Sequence, residues 1–276
     1  MQSICIAAGK GGVGTSIVAC NLAWALADQG KSVLLLDSDF GAGSLDYILG
    51  VDPAVHLGHV AKDGRELKDC VARVRPGLDI IGGGGGIPEL SHLTNEKAAE
   101  FCSAAWEIAS QYDVLVIDSS SGLDLRNLSF QQKADILLLV TSPEPTSLLN
   151  SLALLSHVWA TKPDARFAFV CNQVLKVKQG DVMAQHLKSV VGQFLSRNIE
   201  YWGSIRSDRA VKSGIIAQQL PLSTASKTGF SQDVRELAAH IAIELDDLAN
   251  GIAPSEKSSI LAQIKSQNSA EIDPAA

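Results

Sequence analysis

Long apolar runs are missing from the chain: no stretch approaches the roughly 18 consecutive apolar residues of a membrane-spanning helix, and no basic, then apolar leader opens it. A cytoplasmic protein is expected. Paired cysteines are missing too. Cys5, Cys20, Cys70, Cys102 and Cys171 are odd in number and scattered, with no C-x-x-C, so neither a disulfide framework nor a zinc site is indicated. Two of them fall in or beside the expected core, as small apolar residues do in a reducing compartment. Positive charge is not in excess either: 23 Lys and Arg stand against 30 Asp and Glu, a net charge of −7. That balance lacks the footprint of a nucleic-acid binder, so no nucleic-acid partner is expected. What remains, 46% hydrophobic and 19% charged residues over 276 positions, describes a globular chain. A chain of this length buries about 75% of its unfolded surface, enough for one large α/β domain.

The stretch that organises the rest is Ile4 to Ser16, ICIAAGKGGVGTS, followed by IVACNLA. A short apolar run bounded by glycines reads as a buried strand, and the apolar residues after Ser16 read as a helix. Glycines between them let the backbone curl until several N–H groups point inward, with the positive end of the helix dipole behind them. That arrangement holds phosphate. The P-loop pattern G-x-x-x-x-G-K-[ST] is met by Gly9, Lys10, Gly11, Gly12, Val13, Gly14 and Ser16, with Thr15 in place of the lysine that reaches the β- and γ-phosphates. Ser16 can still ligate magnesium, and Lys10 supplies a cation upstream. Loss of one preorganised donor or cation at such a site costs roughly 3–4 kcal/mol, or about 100- to 1,000-fold in rate.

Further strands carry carboxylates at their ends. Residues 31–37, KSVLLLD, lead into Asp37-Ser38-Asp39-Phe40-Gly41, in the crevice where open α/β sheets bind ligands. Asp39 can orient a water or hold magnesium there, and the same residues can also simply cap a turn. Residues 113–118, DVLVID, form the clearest strand and have the shape of a Walker B element ending at Asp118, beside the P-loop, with Ser119-Ser120-Ser121-Gly122 after it. Strands are also expected at 78–81, 135–140, 166–174 and in the 200–208 stretch, and core-facing helices at 95–111 and 232–248. Residues 51–75 read as a polar, mixed segment whose His56 and His59 are surface residues rather than metal ligands. The glycines at 82–86 read as a flexible loop.

Lys10-Gly11-Gly12-Val13-Gly14 resembles the deviant P-loop of the MinD/ParA family, and DSDFGAGSLDYILG at 37–50 resembles its first switch, with Ser44 in place of asparagine. The resemblance spans about residues 2–248. Thr141-Ser142-Pro143-Glu144-Pro145-Thr146-Ser147 is similar to the FlhG/FleN branch, which controls flagellar number and placement. It implies a doubly wound, mostly parallel sheet flanked by helices, over a domain at 1–250 with a polar tail at 251–276. It implies ATP and Mg2+ as cofactors. Gly9 to Ser16 would bind nucleotide, Lys10 would cross a nucleotide-sandwiched homodimer, and Asp39 would be the catalytic aspartate. Ser16, Asp39 and Asp118 would serve the metal, while Asn172 and Asp208, the latter in GSIRSD where the family has G-x-I-P-x-D, would meet adenine. The activity implied is a slow ATPase acting as a dimerisation switch for a cell-surface organelle, with a protein partner from the placement system. The alternatives are a nucleotide-weak localisation scaffold of the same fold, similar to TadZ/CpaE proteins, and a DNA-segregation ATPase, which the acidic composition disfavours. Family tails commonly insert into the inner membrane; here Ile260, Leu261 and Ile264 make only a small apolar face, so a frayed or self-docking tail is expected, with at most weak contact at the inner membrane or cell pole. The chain opens directly on its first strand, so the N-terminal segment by which some FlhG proteins activate a GTPase is expected to be absent.

Overall fold

A computed structural model describes residues 1–41, 43–83, 90, 92–119, 121–225 and 227–251. Among the described residues eight strands form one sheet: β1 (Gln2–Ala7), β2 (Val33–Asp37), β3 (Val71–Arg75), β4 (Leu78–Ile81), β5 (Val114–Asp118), β6 (Ile136–Thr141), β7 (Phe167–Val174) and β8 (Glu200–Arg206). Their order across the sheet is β3-β4-β2-β5-β1-β6-β7-β8. Every pairing is parallel except that of β3 with β4. The longer helices are α1 (Thr15–Asp28), α2 (Asn95–Ala109), α3 (Pro145–Thr161), α4 (Val177–Leu195), α5 (Arg209–Ala217) and α6 (Gly229–Ala249).

Alternation along β1 shows why its run is apolar throughout. Ile4 and Ile6 face a core built with α1 and α6, through Val18, Leu22, Leu26, Val234 and Ile241. Cys5 and Ala7 face the opposite core, built with α2, α3 and α4 through Phe101, Leu155 and Leu187. A parallel sheet covered on both faces needs apolar residues at both parities, so β1, β2, β5 and β6 read as continuous hydrophobic runs. All five cysteines are free and buried. Burial pushes the Cys70 and Cys102 thiols up to about 11, which leaves them as inert core residues.

The sheet order places β1 between β5 and β6, and β5 between β1 and β2. The carboxyl ends of β1, β5 and β2 therefore lie side by side, and the register sets Asp118 opposite both Ile6 and Asp37. Residues 51–75 are more ordered than their polar composition suggests. They hold a helix at Leu57–Asp63, a 3-10 turn at Leu67–Cys70 and then β3. In β3 the arginines serve an exposed edge: Arg73 pairs with Asp79, and Arg75 donates to Asp28 at 2.6 Å and lies 4.4 Å over the Trp24 ring. His59 accepts the His56 backbone N–H through Nδ1 at 3.2 Å, so this pair fixes the start of its own helix. Among the described residues no helix is long and apolar enough to cross a membrane. Ala42, most of the 82–86 glycine loop, Ser120 in the stretch after Asp118 and the tail at 252–276 lie outside the described residues.

Candidate functional site

The turn between β1 and α1 takes the shape its glycines allow. Gly12 and Gly14 adopt φ of 81° and 90°, left-handed values that side-chain-bearing residues rarely reach. Gly9 serves a different need, because a Cβ there would lie 2.1 Å from the Asn150 carbonyl oxygen on α3. The loop can therefore lie directly on that helix. Val13 anchors the other side of the turn, its side chain buried in the core. Gly14 caps α1 without any side-chain hydrogen bond, and the first turn carries no acidic residue. The N–H groups and positive dipole end of α1 are thus left for an anion.

Two side chains from the end of β7 hold this loop. Asn172 Nδ2 donates to the Val13 carbonyl at 2.8 Å, and Gln173 Nε2 donates to the Gly12 carbonyl at 3.0 Å. Gln173 does so from a left-handed backbone, φ 61°. Asn172 also explains Gly14, since a Cβ at that position would approach its amide nitrogen to 2.6 Å. The sequence singled out Asn172 for contact with adenine and not for this bracing of the loop; the equal part played by Gln173 was not expected, and only its place next to Asn172 at a strand end hinted at it.

Lys10 does not point into the loop. Its ammonium pairs with the Glu144 carboxylate and donates to Thr146 Oγ1 at 3.1 Å. The TSPEPTS segment is built to present those two groups. Ser147, buried, bonds Thr141 Oγ1 at 2.9 Å and accepts the Ser142 N–H at 3.1 Å, closing the turn from inside. Glu144 and Pro145 then start α3 facing outward, where Lys10 finds them. Both ends of this ion pair are solvent-exposed, so it holds Lys10 loosely.

Asp118 lies at the end of β5, buried, hydrogen-bonded by Ser16 and with its Oδ1 partnerless among the described residues. Burial first, and then the charge of Asp37, push its carboxyl well above the usual range. Asp37 is buried beside it and is raised to about 7, mainly by burial, against hydrogen bonds from Leu45 N–H at 3.2 Å and Asp39 N–H at 3.0 Å. A buried carboxylate oxygen without a donor, next to a serine hydroxyl and a second carboxylate, is a donor set of hard oxygens that fits a magnesium ion. Asp39 itself is less buried and accepts the Gly41 N–H at 3.1 Å in the loop after β2. Asp37 is the residue the sequence reading undervalued. Its signal was its place as the last residue of an apolar strand, the same place Asp118 holds.

The loop after β5 returns to the P-loop. Ser119 N–H donates to the Ile6 carbonyl at 2.9 Å and Gly122 N–H to the Ala8 carbonyl at 2.8 Å. Gly11 faces Ser121, whose Oγ would lie 3.3 Å from a Cβ there.

A cavity of about 590 Å3 opens in front of these elements, lined by Gly12, Gly14, Thr15 and Ser16 of the P-loop, by Asn172 and Gln173 beside it, and by Asp208. Ile17, Val211, Ile215 and Phe230 give it an apolar wall. Asp208 caps α5, accepting the Ala210 N–H at 2.8 Å. Arg206, at the position where the family pattern has proline, is clamped to Asp233 at 2.7 and 2.8 Å and donates to the Gly229 carbonyl at 3.2 Å. It ties the end of β8 to the start of α6 and so fixes the far wall. Of the sequence-predicted residues, Gly12, Gly14, Thr15, Ser16, Asn172 and Asp208 share this cavity. Gly9 and Val13 support its loop, and Lys10, Gly11, Asp39 and Asp118 are not among the residues that line it.

Comparison with known proteins agrees with this geometry. A family model described as an AAA domain matches residues 1–162. The chain is 33% identical over 219 residues to the antiactivator FleN of Pseudomonas aeruginosa, covering 79% of this chain and 78% of that protein. It is 27% identical over 244 residues to the flagellum site-determining protein YlxH of Helicobacter pylori, covering 88% and 82%. In fold it is similar to the septum site-determining protein MinD of Pyrococcus horikoshii, solved with Mg-ADP, at a TM-score of 0.75 and 24% identity over 92% of this chain and 99% of that one. With a deviant P-loop, a Walker B carboxylate and these relatives spanning most of its length, the chain belongs to the MinD/ParA family of P-loop ATPases and groups with its FlhG/FleN branch.

Proposed function

We propose that this protein is an ATP-controlled dimerisation switch that regulates the number or placement of flagella. The observation that carries the reading is Lys10. A cation in the phosphate loop is held on Glu144 and Thr146 of its own chain by an exposed, weak ion pair, in a segment that stands outside the nucleotide cavity. Such a lysine is free to exchange partners when a second subunit brings phosphates to it, and the exchange costs little. The antiactivator and site-determining roles of FleN and YlxH support the flagellar assignment.

In this reading backbone amides from Gly11 to Thr15 hold the phosphates, and the apolar wall of Val211, Ile215 and Phe230 takes the base, with Asn172 and Asp208 at its edge. Ser16 and Asp118 hold magnesium, which when bound neutralises charge on the phosphates. Asp37 backs that position, and Asp39 orients water for a slow hydrolysis that ends the dimer. The protein works in the cytoplasm, with a partner from the placement machinery and at most weak membrane contact.

Thr15 favours a second reading, in which the same fold serves as a nucleotide-weak scaffold that dimerises without turnover. Calorimetric titration with Mg-ATP, with light scattering on the same samples, separates the two. Binding that converts monomer to dimer supports the switch; dimerisation that ignores nucleotide supports the scaffold.

A further inference from the structure

Helix α5 is thinly anchored for an element that walls the main cavity. Of its nine residues only Gly214 is buried, while Val211, Lys212 and Ile215 line the cavity. A helix this short is marginal by itself, so what lies against it decides how well it is ordered. Its carboxyl end is tightly folded. The Gln219 N–H donates to the Gly214 carbonyl at 2.9 Å, and the Gln218 N–H to that of Ile215 at 3.3 Å. A Cβ at Gly214 would lie 2.4 Å from the Gln219 carbonyl oxygen, so the turn rests directly on the helix.

That turn bears on the segment at 37–50. Gly50 ends the short helix Leu45–Leu49 at φ 66°, and a Cβ there would lie 2.9 Å from the Gln218 carbonyl oxygen and 3.4 Å from the Gln218 Cβ. Gln218, itself left-handed at φ 53°, is exposed. The short helix holds a carboxylate of the site at its other end. The Leu45 N–H donates to Asp37 Oδ2 at 3.2 Å, and the Asp39 N–H donates to Asp37 Oδ1 at 3.0 Å. A line of contacts therefore runs from Ile215 on the cavity wall, through Gln218 and Gly50, to Asp37.

We infer that Gln218 is a positioning residue, seating Gly50 so that a base lying against α5 orders the helix Leu45–Leu49 and, through it, the carboxylate of Asp37. The inference rests on the nucleotide-binding reading above. It gives the under-anchored wall a purpose: the base completes the packing of α5, and the joint carries that order to the carboxylates at the ends of β2 and β5.

The test uses the full chain and Mg-ADP, with backbone hydrogen exchange followed by mass spectrometry. In wild type, saturating Mg-ADP should slow exchange roughly 10-fold at 209–217 and at 45–50 alike, within the usual range of coupling between sites. Gly50→Asn brings a residue that tolerates the left-handed backbone but drives a Cβ against the Gln218 carbonyl, and Gln218→Gly loosens the joint from its exposed side. Both should keep the protection at 209–217 and lose it at 45–50. Gly64→Asn is the control and should behave as wild type, because Gly64 ends its own helix at φ 68° with nothing within 4 Å of a Cβ. Protection at 209–217 without protection at 45–50 in wild type overturns the inference and leaves nucleotide binding standing, as does protection at 45–50 that survives in both joint variants. Its loss in Gly64→Asn as well would trace the effect to backbone strain and overturn the inference too. A wild type in which Mg-ADP up to millimolar concentration slows exchange nowhere overturns the nucleotide reading with it.

Discussion

The paired carboxylates at the ends of β2 and β5 make stability depend on pH in an unusual direction. Most aspartates are stabilised as anions by folding, whereas Asp37 is raised from 3.8 to about 7 by burial. Between those values the folded state keeps a proton that the unfolded chain has released. Folding stability is therefore greatest at the acidic end of that window and falls as pH rises toward 7. Each pKa unit is worth about 1.4 kcal/mol, so raising metal-free protein from pH 5 to pH 8 removes about 3 kcal/mol through Asp37. Asp118, pushed in the same direction, adds to the loss. With an unfolding entropy near 2 cal/mol/K per residue, each kcal/mol moves the midpoint of a chain this long by about 2 °C, so Tm should drop by about 5 °C across the range. Scanning calorimetry in EDTA at half-unit pH steps measures it. Asp118→Asn removes the neighbouring charge and should flatten the decline and raise Tm at pH 8. Millimolar magnesium should stabilise wild type more at pH 8 than at pH 5, because the metal replaces the proton. A Tm that is flat or rises from pH 5 to 8 in EDTA, with Asp118→Asn following wild type, would refute the reasoning.

Three further substitutions probe the site. Gly9→Ala places a methyl against the Asn150 carbonyl, where both partners are backbone, and should cost about 1–3 kcal/mol, read as a lowered midpoint in urea; an unchanged midpoint would mean that the loop does not rest on α3. Lys10→Ala breaks only an exposed ion pair, so stability should change by less than about 1 kcal/mol while ATP-dependent dimerisation, followed by light scattering, disappears. Thr15→Lys restores the P-loop lysine and should bind ATP more tightly and hydrolyse it faster in a phosphate-release assay; no change in either would show that the loop does not cradle phosphate.

Much of the sheet was legible because burial on both faces leaves unbroken apolar runs, as in LLLD at 34–37 and VLVID at 114–118. The carboxylate ends were legible for the same reason, since a charge that terminates such a run must sit at the sheet's edge. Edge strand β3 escaped because none of its residues is fully buried and Arg73 and Arg75 interrupt its apolar positions, which gives VARVR the look of a polar, mixed segment. Helix α4 escaped because its buried positions, Gly180, Ala184, Leu187 and Val191, form a thin stripe among polar residues. At the site, the glycines announced the loop but not what presses on it. That Asn172 braces Val13, that Gln173 braces Gly12 and that Glu144 holds Lys10 are contacts between residues more than 130 positions apart, which periodicity cannot reveal. The TSPEPTS segment was readable as a family signature, yet its physical purpose, a closed turn that turns Glu144 outward, needed the fold.

Whether nucleotide drives assembly is the centre of the account, and one experiment addresses it. Purified protein is titrated with ATP and magnesium in a calorimeter, and the mass of the same samples is followed by light scattering. Micromolar binding accompanied by conversion of monomer to dimer is the predicted result. An absence of binding up to millimolar ATP, or a mass indifferent to nucleotide, would contradict the switch and leave the fold as a scaffold.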